Sequence, residues 1–278
     1  MTFAYPRASP ASIDSPDKRS AGRELLSLAL MDARNHTLYL LALYEKALGA
    51  IKIAAPQPAE VEPLLWLAGH IGWFSEFWIA RNTQRMLGSH CPHEPTHLAS
   101  IEPHADRWWD PQQAAHADRW TLDLPDLAAT RAYMLETLES TLDLLEKLPD
   151  EDQALYFYRL ALFHEDLRGE QLITMAQTLG IALPIDALPG LVVREPLLVP
   201  ATRWMLGSSD GGFVFDNEKT AHEVAVPEVE IDAQPVTWAQ LVEFVDDSGY
   251  DRPELWQPRG WDWLQALAQT EGRRGPRY

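Results

Sequence analysis

Two histidines sit in the middle of strongly apolar runs. His70 lies in LLWLAGHIGWFSEFW, and His164 lies in YFYRLALFHEDLRGEQLITMAQTLG at 156–180, followed by Glu165, Asp166, Arg168 and Glu170. Polar groups in the centre of a buried helix need partners, and the natural partner of one such histidine is the other. Imidazoles from two facing helices, with carboxylates nearby, are the raw material of a metal site in a helical bundle. Two ligands four residues apart on one helix point the same way. A third from a neighbouring helix completes one face of an iron or zinc centre. The position four residues after His164 is Arg168, whose guanidinium stays protonated and has no lone pair to give. It also brings positive charge to the place a cation would take. Glu165 points about 100° around the helix from His164, Asp166 is worse placed, and Glu170 is two residues past the expected position. The pattern is two good imidazole donors with a broken third position. Asp32, His36, Trp73 and Glu170 are further candidates for the same pocket. Asp32 and His36 either line it or form an i,i+4 pair near the surface.

Four long segments with helical periodicity must position these groups. The first runs from about Gly22 to Leu48, with Leu25, Leu28, Ala29, Asp32, His36, Leu40 and Leu43 on one face. The second runs from about Glu60 to Leu87, with Pro63 in its first turn and Leu67, His70, Phe74, Phe77 and Arg81 on one face. The third follows Leu124-Pro125 and ends near Leu148, burying Leu127, Thr130, Met134, Leu138, Thr141 and Leu145. The fourth ends at Gly180, a C-cap residue. Between the second and third lies an aperiodic stretch, 88–121, with His90, His93, His97, His104, His116 and three tryptophans. Its histidines form no clean ligand pattern. Its aromatics are expected to pin it across one end of a four-helix bundle, and its length suits a lid or a long crossover.

The expected organisation is a flexible N-terminus (1–20), a bundle (21–182), a proline-marked linker (183–200) and a mixed α+β region (201–278). The fold class is therefore an all-α bundle followed by a partial, irregular α+β domain. The last region has short β-like runs, one helix capped by Thr237, and nothing that closes it after Leu264-Gln265, as though it stops partway through a domain. A net charge of −18 and the lack of any basic cluster before the extreme C-terminus exclude a nucleic-acid partner. No apolar run is long enough to cross a membrane. The single cysteine, Cys91, allows no intrachain disulfide and fits a cytoplasmic setting. Nothing in the sequence sets the oligomeric state.

At GHIGWFSEFW (69–78), FHEDLRGEQL (163–172), GGFVFDNEKTAHEVAVPEVEIDAQPVTWAQLVEFVDDSGY (211–250) and PRGWDWL (258–264) the chain resembles the ergothioneine and selenoneine synthases. In these a DinB-like bundle is followed by a domain resembling the formylglycine-generating enzyme, or sulfatase-modifying factor. ARNHT at 33–37 and the HED form at 164–166 look closest to the selenoneine branch. The resemblance implies a non-haem Fe(2+) enzyme. With O2 it joins a thiol or selenosugar donor to the imidazole C2 of hercynine, the trimethylated betaine of histidine. The three iron-holding histidines of the family map onto His70, His164 and Arg168, so the third is missing here. The remaining pocket residues are expected beyond Tyr278, which leaves the catalytic groups unassigned. Arg168 is expected to weaken iron binding and the early stop to remove half of the active-site wall; either would leave an inactive homologue or a fragment of a longer gene product, of enzymatic ancestry. Two other readings compete. One is a non-catalytic binding or scaffold protein that takes betaine-like cations in a tryptophan-rich acidic pocket. The other is a thiol-transferase-like zinc enzyme, against which the C-terminal motifs argue.

Overall fold

The computed structural model describes residues 16–49, 61–184, 194–272 and 275. The chain divides into two compact units, residues 1–186 with 206–222, and residues 187–205 with 223–278.

The first unit is built on four helices: α1 (Arg23–Leu48), α2 (Leu64–Ser75), α3 (Leu127–Leu145) and α4 (Asp152–Thr178). Each terminus has a local cause. Asp150, in the turn before α4, accepts the Arg23 amide at 2.6 Å and closes the start of α1. Asp126 accepts the Ala129 amide at 2.8 Å and caps α3. Gly180, with φ 68°, ends the turn after α4, where the Ile181 amide donates back to the Ala176 carbonyl at 2.7 Å. At one end of the bundle Leu26, Leu30, Leu155, Tyr158 and Leu162 are buried together. At the other end Leu40, Tyr44, Leu67, Leu172 and Met175 are buried.

The inward face of α1 is rotated from the expected one. Leu25 and Leu28 are exposed, and the buried stripe runs through Leu26, Leu30, Ala33, Thr37, Leu41 and Tyr44. This stripe carries more continuous apolar surface, and its one guanidinium, Arg34, finds a buried partner. Arg34 donates from Nε and Nη2 to the two oxygens of Glu165, at 2.8 and 3.1 Å, and from Nη1 to the Met134 carbonyl. Thr37 also donates to Glu165, at 3.0 Å. One network thus ties α1, α3 and α4 together.

The second helix is shorter than expected. After Ser75 the chain widens into a π-turn, Glu76–Ala80, and by Asn82 it has left the helix and bridges to His97. The widening coincides with the buried Glu76 carboxylate, which accepts from the Tyr133 hydroxyl at 2.6 Å, the Ser100 hydroxyl at 2.8 Å and the Ile101 amide at 2.8 Å. Pro63 precedes the helix rather than sitting inside it. Residues 50–60, where the turn and helix start were expected, lie outside the described residues, as do 1–15. Pro16–Arg19, expected to be flexible, is a single helical turn anchored by Arg19 to Glu218 at 2.6 Å.

Residues 88–121 cover part of the bundle. A short helix, Ala105–Trp109, drives Trp109 into the core against Gly69, where a Cβ would fall 2.0 Å from its ring. Only glycine permits that approach. Residues 206–222 also belong with the bundle, although a boundary at 201 was expected. Phe213 is buried 5.3 Å from Phe163, and the Gly212 amide donates to Asp152 at 3.0 Å.

In the second unit, β1 (Leu197–Val199) pairs antiparallel with β4 (Val229–Ile231), with Leu198 opposite Glu230. Strand β2 (Thr202–Leu206) pairs with β3 (His222–Val226). The expected linker therefore contains a strand. Its residues 185–193 lie outside the described set. Helix α5 (Trp238–Asp246) starts at Thr237, which accepts the Gln240 amide at 3.3 Å, and α6 (Pro258–Glu271) follows. The Trp256 indole donates to the Gly249 carbonyl at 2.9 Å beside Tyr250 and Phe244. These two two-stranded sheets and two helices give the expected α+β character and do not by themselves define a sulfatase-modifying-factor fold.

Candidate functional site: two imidazoles and a guanidinium

His70 stands on the inward face of α2. The Trp66 ring is stacked on it with centroids 4.8 Å apart, and Trp73 lies at 5.6 Å. Its Nδ1 is 2.9 Å from the Trp109 carbonyl. A carbonyl only accepts, so Nδ1 carries the proton and Nε2 presents a bare lone pair. His164, on α4, is stacked on Phe74 at 3.6 Å and brings its own Nε2 to 3.2 Å from that of His70. Arg168, one turn further along α4, places Nε 3.2 Å from His164 Nε2 and Nη2 3.4 Å from His70 Nε2. Guanidinium N–H groups only donate, so both Nε2 atoms accept. The proton of His164 is then on Nδ1, which is buried without a partner among the described residues.

The charge state follows from the same contacts. Burial, and after it the Arg168 charge, push His70 down to about 3. Burial, His70 and Arg168 hold His164 far below its ordinary value. Both imidazoles are neutral and Arg168 is the cation of the cluster. Gln171 accepts from its Nη1 at 2.9 Å. No carboxylate pairs with Arg168 among the described residues. Glu62, which acts on it through space, is taken by Arg119 at 2.5 Å, and Arg119 in turn lies 3.7 Å over the face of Trp66.

These groups form the floor of a cleft of about 380 Å³. Trp73, Phe74, Phe77 and Trp78 make its wall, and Glu94, Asp110 and Gln112 stand among its other lining groups. The wall is held from behind. The Trp73 indole donates to Asp106 at 2.7 Å, and Arg81 binds both oxygens of Asp106 at 2.6 and 2.8 Å. Trp78 stacks on Phe157 at 5.3 Å.

The structure brings together His70, His164, Arg168 and Trp73. It leaves out the other three candidates. Asp32 is exposed and His36 half-buried, because α1 turns Arg34 and Thr37 inward instead. The two remain i,i+4 neighbours, and the carboxylate opposes the effect of burial on His36. Glu170 is exposed. Six residues past His164 it falls about 240° around the helix, on the far side. His93 and His97, in the aperiodic stretch, line the cleft, while His116 reaches the Val61 carbonyl at 3.0 Å. The Arg34–Glu165 and Glu76–Tyr133 pairs were not anticipated. The signal available was an arginine and a glutamate inside apolar stripes, each requiring a buried partner.

The donor set does not fit a three-ligand iron or zinc centre. Two lone pairs converge, but the third position offers N–H donors and a positive charge. Among the described residues no group of three or more His, Cys, Asp or Glu side chains is placed to hold a metal ion.

The profile of the DinB superfamily matches residues 29–177, more than half of the chain. The chain belongs to the DinB superfamily. The matched span contains all four helices of the DinB bundle except the first turns of α1 and the last residue of α4. Similarity to characterised proteins extends past it. The hercynine oxygenase of Mycolicibacterium smegmatis is 34% identical over 269 residues, 92% of this chain and 57% of that protein. Hercynine oxygenase of Mycolicibacterium thermoresistibile is 31% identical over 252 residues, covering 86% and 52%. That of Mycobacterium tuberculosis is 28% identical over 218 residues, covering 76% and 49%. The chain spans about half the length of the relatives it matches.

Proposed function

We propose that the DinB bundle of this chain carries the small-molecule pocket of a hercynine-modifying enzyme, with hercynine or a close betaine relative as its ligand. The oxidative C–S or C–Se bond formation expected of this family would need a third imidazole where this chain carries Arg168. The observation that carries the reading is the convergence of His70 Nε2 and His164 Nε2, 3.2 Å apart, at the floor of an aromatic cleft. Two buried polar imidazoles converging on one point at the floor of a cleft mark a candidate functional site. The names of the relatives support hercynine as the ligand. The same reading takes the protein to be cytoplasmic, with its one thiol, Cys91, reduced. Selenium rather than sulfur as the transferred atom rests on ARNHT (33–37) and HED (164–166) alone.

The test is anaerobic reconstitution with Fe²⁺ and elemental analysis of the parent chain and of Arg168→His. The variant should hold close to one iron per chain and the parent almost none. Hercynine should then alter the ferrous-nitrosyl EPR signal of the variant. Iron that ignores hercynine would sink the reading. Near-stoichiometric iron in the parent would refute the role given to Arg168.

A second reading, a binding protein without catalysis, is favoured by one specific contact. The Arg168 guanidinium spans both imidazoles and satisfies the lone pairs a metal would use.

A further inference from the structure

We propose that the cleft is a carboxylate-binding site. Arg168, held by the two imidazoles, receives the carboxylate of a small zwitterion whose cationic end lies against the aromatic wall. The inference rests on the preceding reading for the identity of the ligand and reverses the orientation a metal would impose. A metal would draw the ligand's imidazole to the floor, whereas a guanidinium draws its acid group.

The argument starts from the guanidinium itself. Its Nε and Nη2 form one edge of a planar fork, and that edge is spent on the two Nε2 atoms. The opposite edge is formed by Nη1 and Nη2. Nη1 gives one N–H to Gln171, which leaves one N–H on each nitrogen with no acceptor among the described residues. Each nitrogen thus keeps a donor for an incoming anion, and a guanidinium is the side chain best able to give a carboxylate two hydrogen bonds. No carboxylate pairs directly with Arg168 among the described residues, so the floor carries a positive charge in a half-buried place without a counter-ion in contact. Such a charge is costly without a counter-ion, and an anionic ligand supplies one.

The rest of the cleft selects which anion. Its wall is Trp73, Phe74, Phe77 and Trp78, and Glu94 and Asp110 also line it. A simple anion such as phosphate gains nothing from the aromatic rings and is repelled by the carboxylates. A trimethylammonium group has no N–H to donate and is best held by aromatic faces with acid groups nearby. A betaine offers both ends in one small molecule, and about 380 Å³ is within the range of small-ligand sites. Stacking of Phe74 on His164 and of Trp66 and Trp73 on His70 fixes floor and wall together, so the two halves of the ligand meet a preformed site.

The experiment is a calorimetric and tryptophan-fluorescence titration of the full chain with hercynine, with hercynine methyl ester and with acetate. Hercynine should bind saturably, and the ester should bind roughly ten- to a hundredfold more weakly for loss of one charged hydrogen-bonded pair. Acetate should compete with hercynine. In Arg168→Gln the acid and the ester should bind alike. The acid–ester comparison on the parent needs no variant, so a folding defect in Arg168→Gln does not blunt it. Equal binding of acid and ester by the parent would overturn the proposal. So would a variant that keeps the discrimination. Acetate binding that depends on Arg168, with no hercynine binding, would overturn the betaine reading and uphold the anion site. Binding of neither overturns both.

Discussion

At the scale of single residues, the buried titratable groups give the molecule a characteristic response to acid. His70 is pushed down to about 3 and His164 moves in the same direction. Between pH 6.5 and that value the unfolded chain binds protons that the folded chain refuses, so stability falls as pH drops through the window. The loss is about 1.4 kcal/mol per pH unit for each such group. The urea midpoint should therefore fall between pH 6.5 and 4.5, and it should fall less in a chain with phenylalanine at both positions. Asp166 acts in the opposite sense. Burial, and then Glu165, push it up to about 7. The folded chain keeps a proton that the unfolded chain loses above its ordinary value of 3.8, so this contribution to stability is lost as pH rises towards neutrality. Asp166→Asn should gain on the order of 1 kcal/mol at pH 8, after discounting for partial exposure, and nothing at pH 3.5. An equal gain at both pH values would show that the effect is packing and not charge.

At the scale of elements, the close contacts of α2 make the sharpest forecast. Gly69 lets the Trp109 ring approach the helix backbone closely, and the carbonyl of that same tryptophan orients His70. Gly69→Ala must displace the ring, so it should cost about 1–3 kcal/mol by overpacking and disturb the cleft as well as the fold. The urea midpoint and the tryptophan emission maximum measure the two effects. Unchanged emission together with unchanged stability would mean the ring has room to move. The four helices were legible in the sequence because each carries an apolar stripe, over more than five turns in α1, α3 and α4, and because caps or turns such as Asp126 and Gly180 mark several of their ends. His70, His164 and Arg168 were legible for a related reason: a polar group flanked by apolar residues on both sides stands out. The true face of α1 was not legible, since stripes starting at Leu25 and Leu26 score alike until the partner of Arg34 is known. The end of α2 was hidden because the π-turn depends on Tyr133 and Ser100, far away in sequence. Residues of the aperiodic stretch that reach the cleft, His93, His97 and Asp110, give no periodic signal at all.

At the scale of the whole molecule, the two units differ in how much apolar surface they bury. Among the described residues, the bundle holds nearly all of the buried hydrophobic ones. In the second unit Leu197, Leu198, Trp204, Met205, Ile231, Trp238 and Val242 are exposed, and its core is little more than Leu264 and Leu267. Short strands paired two at a time add little stability of their own. Hydrogen exchange should therefore be slowest in α1 and α4 and faster by orders of magnitude in 197–205 and 223–231, and the second unit should be the part that binds a hydrophobic dye. Equal protection in both units would contradict this account.

The hold of Arg168 on the two imidazoles has a physiological side. A metal ion is a guest, present or absent according to its free concentration and to competition from chelators. Arg168 is joined to α4 by covalent bonds and has no dissociation constant. In the structure its guanidinium contacts the Nε2 atoms of both His70 and His164. Chelation strips nothing from it, and oxygen and peroxide find no redox partner there. On the proposed reading this pocket is uncoupled from metal supply, and its occupancy follows the concentration of its organic ligand.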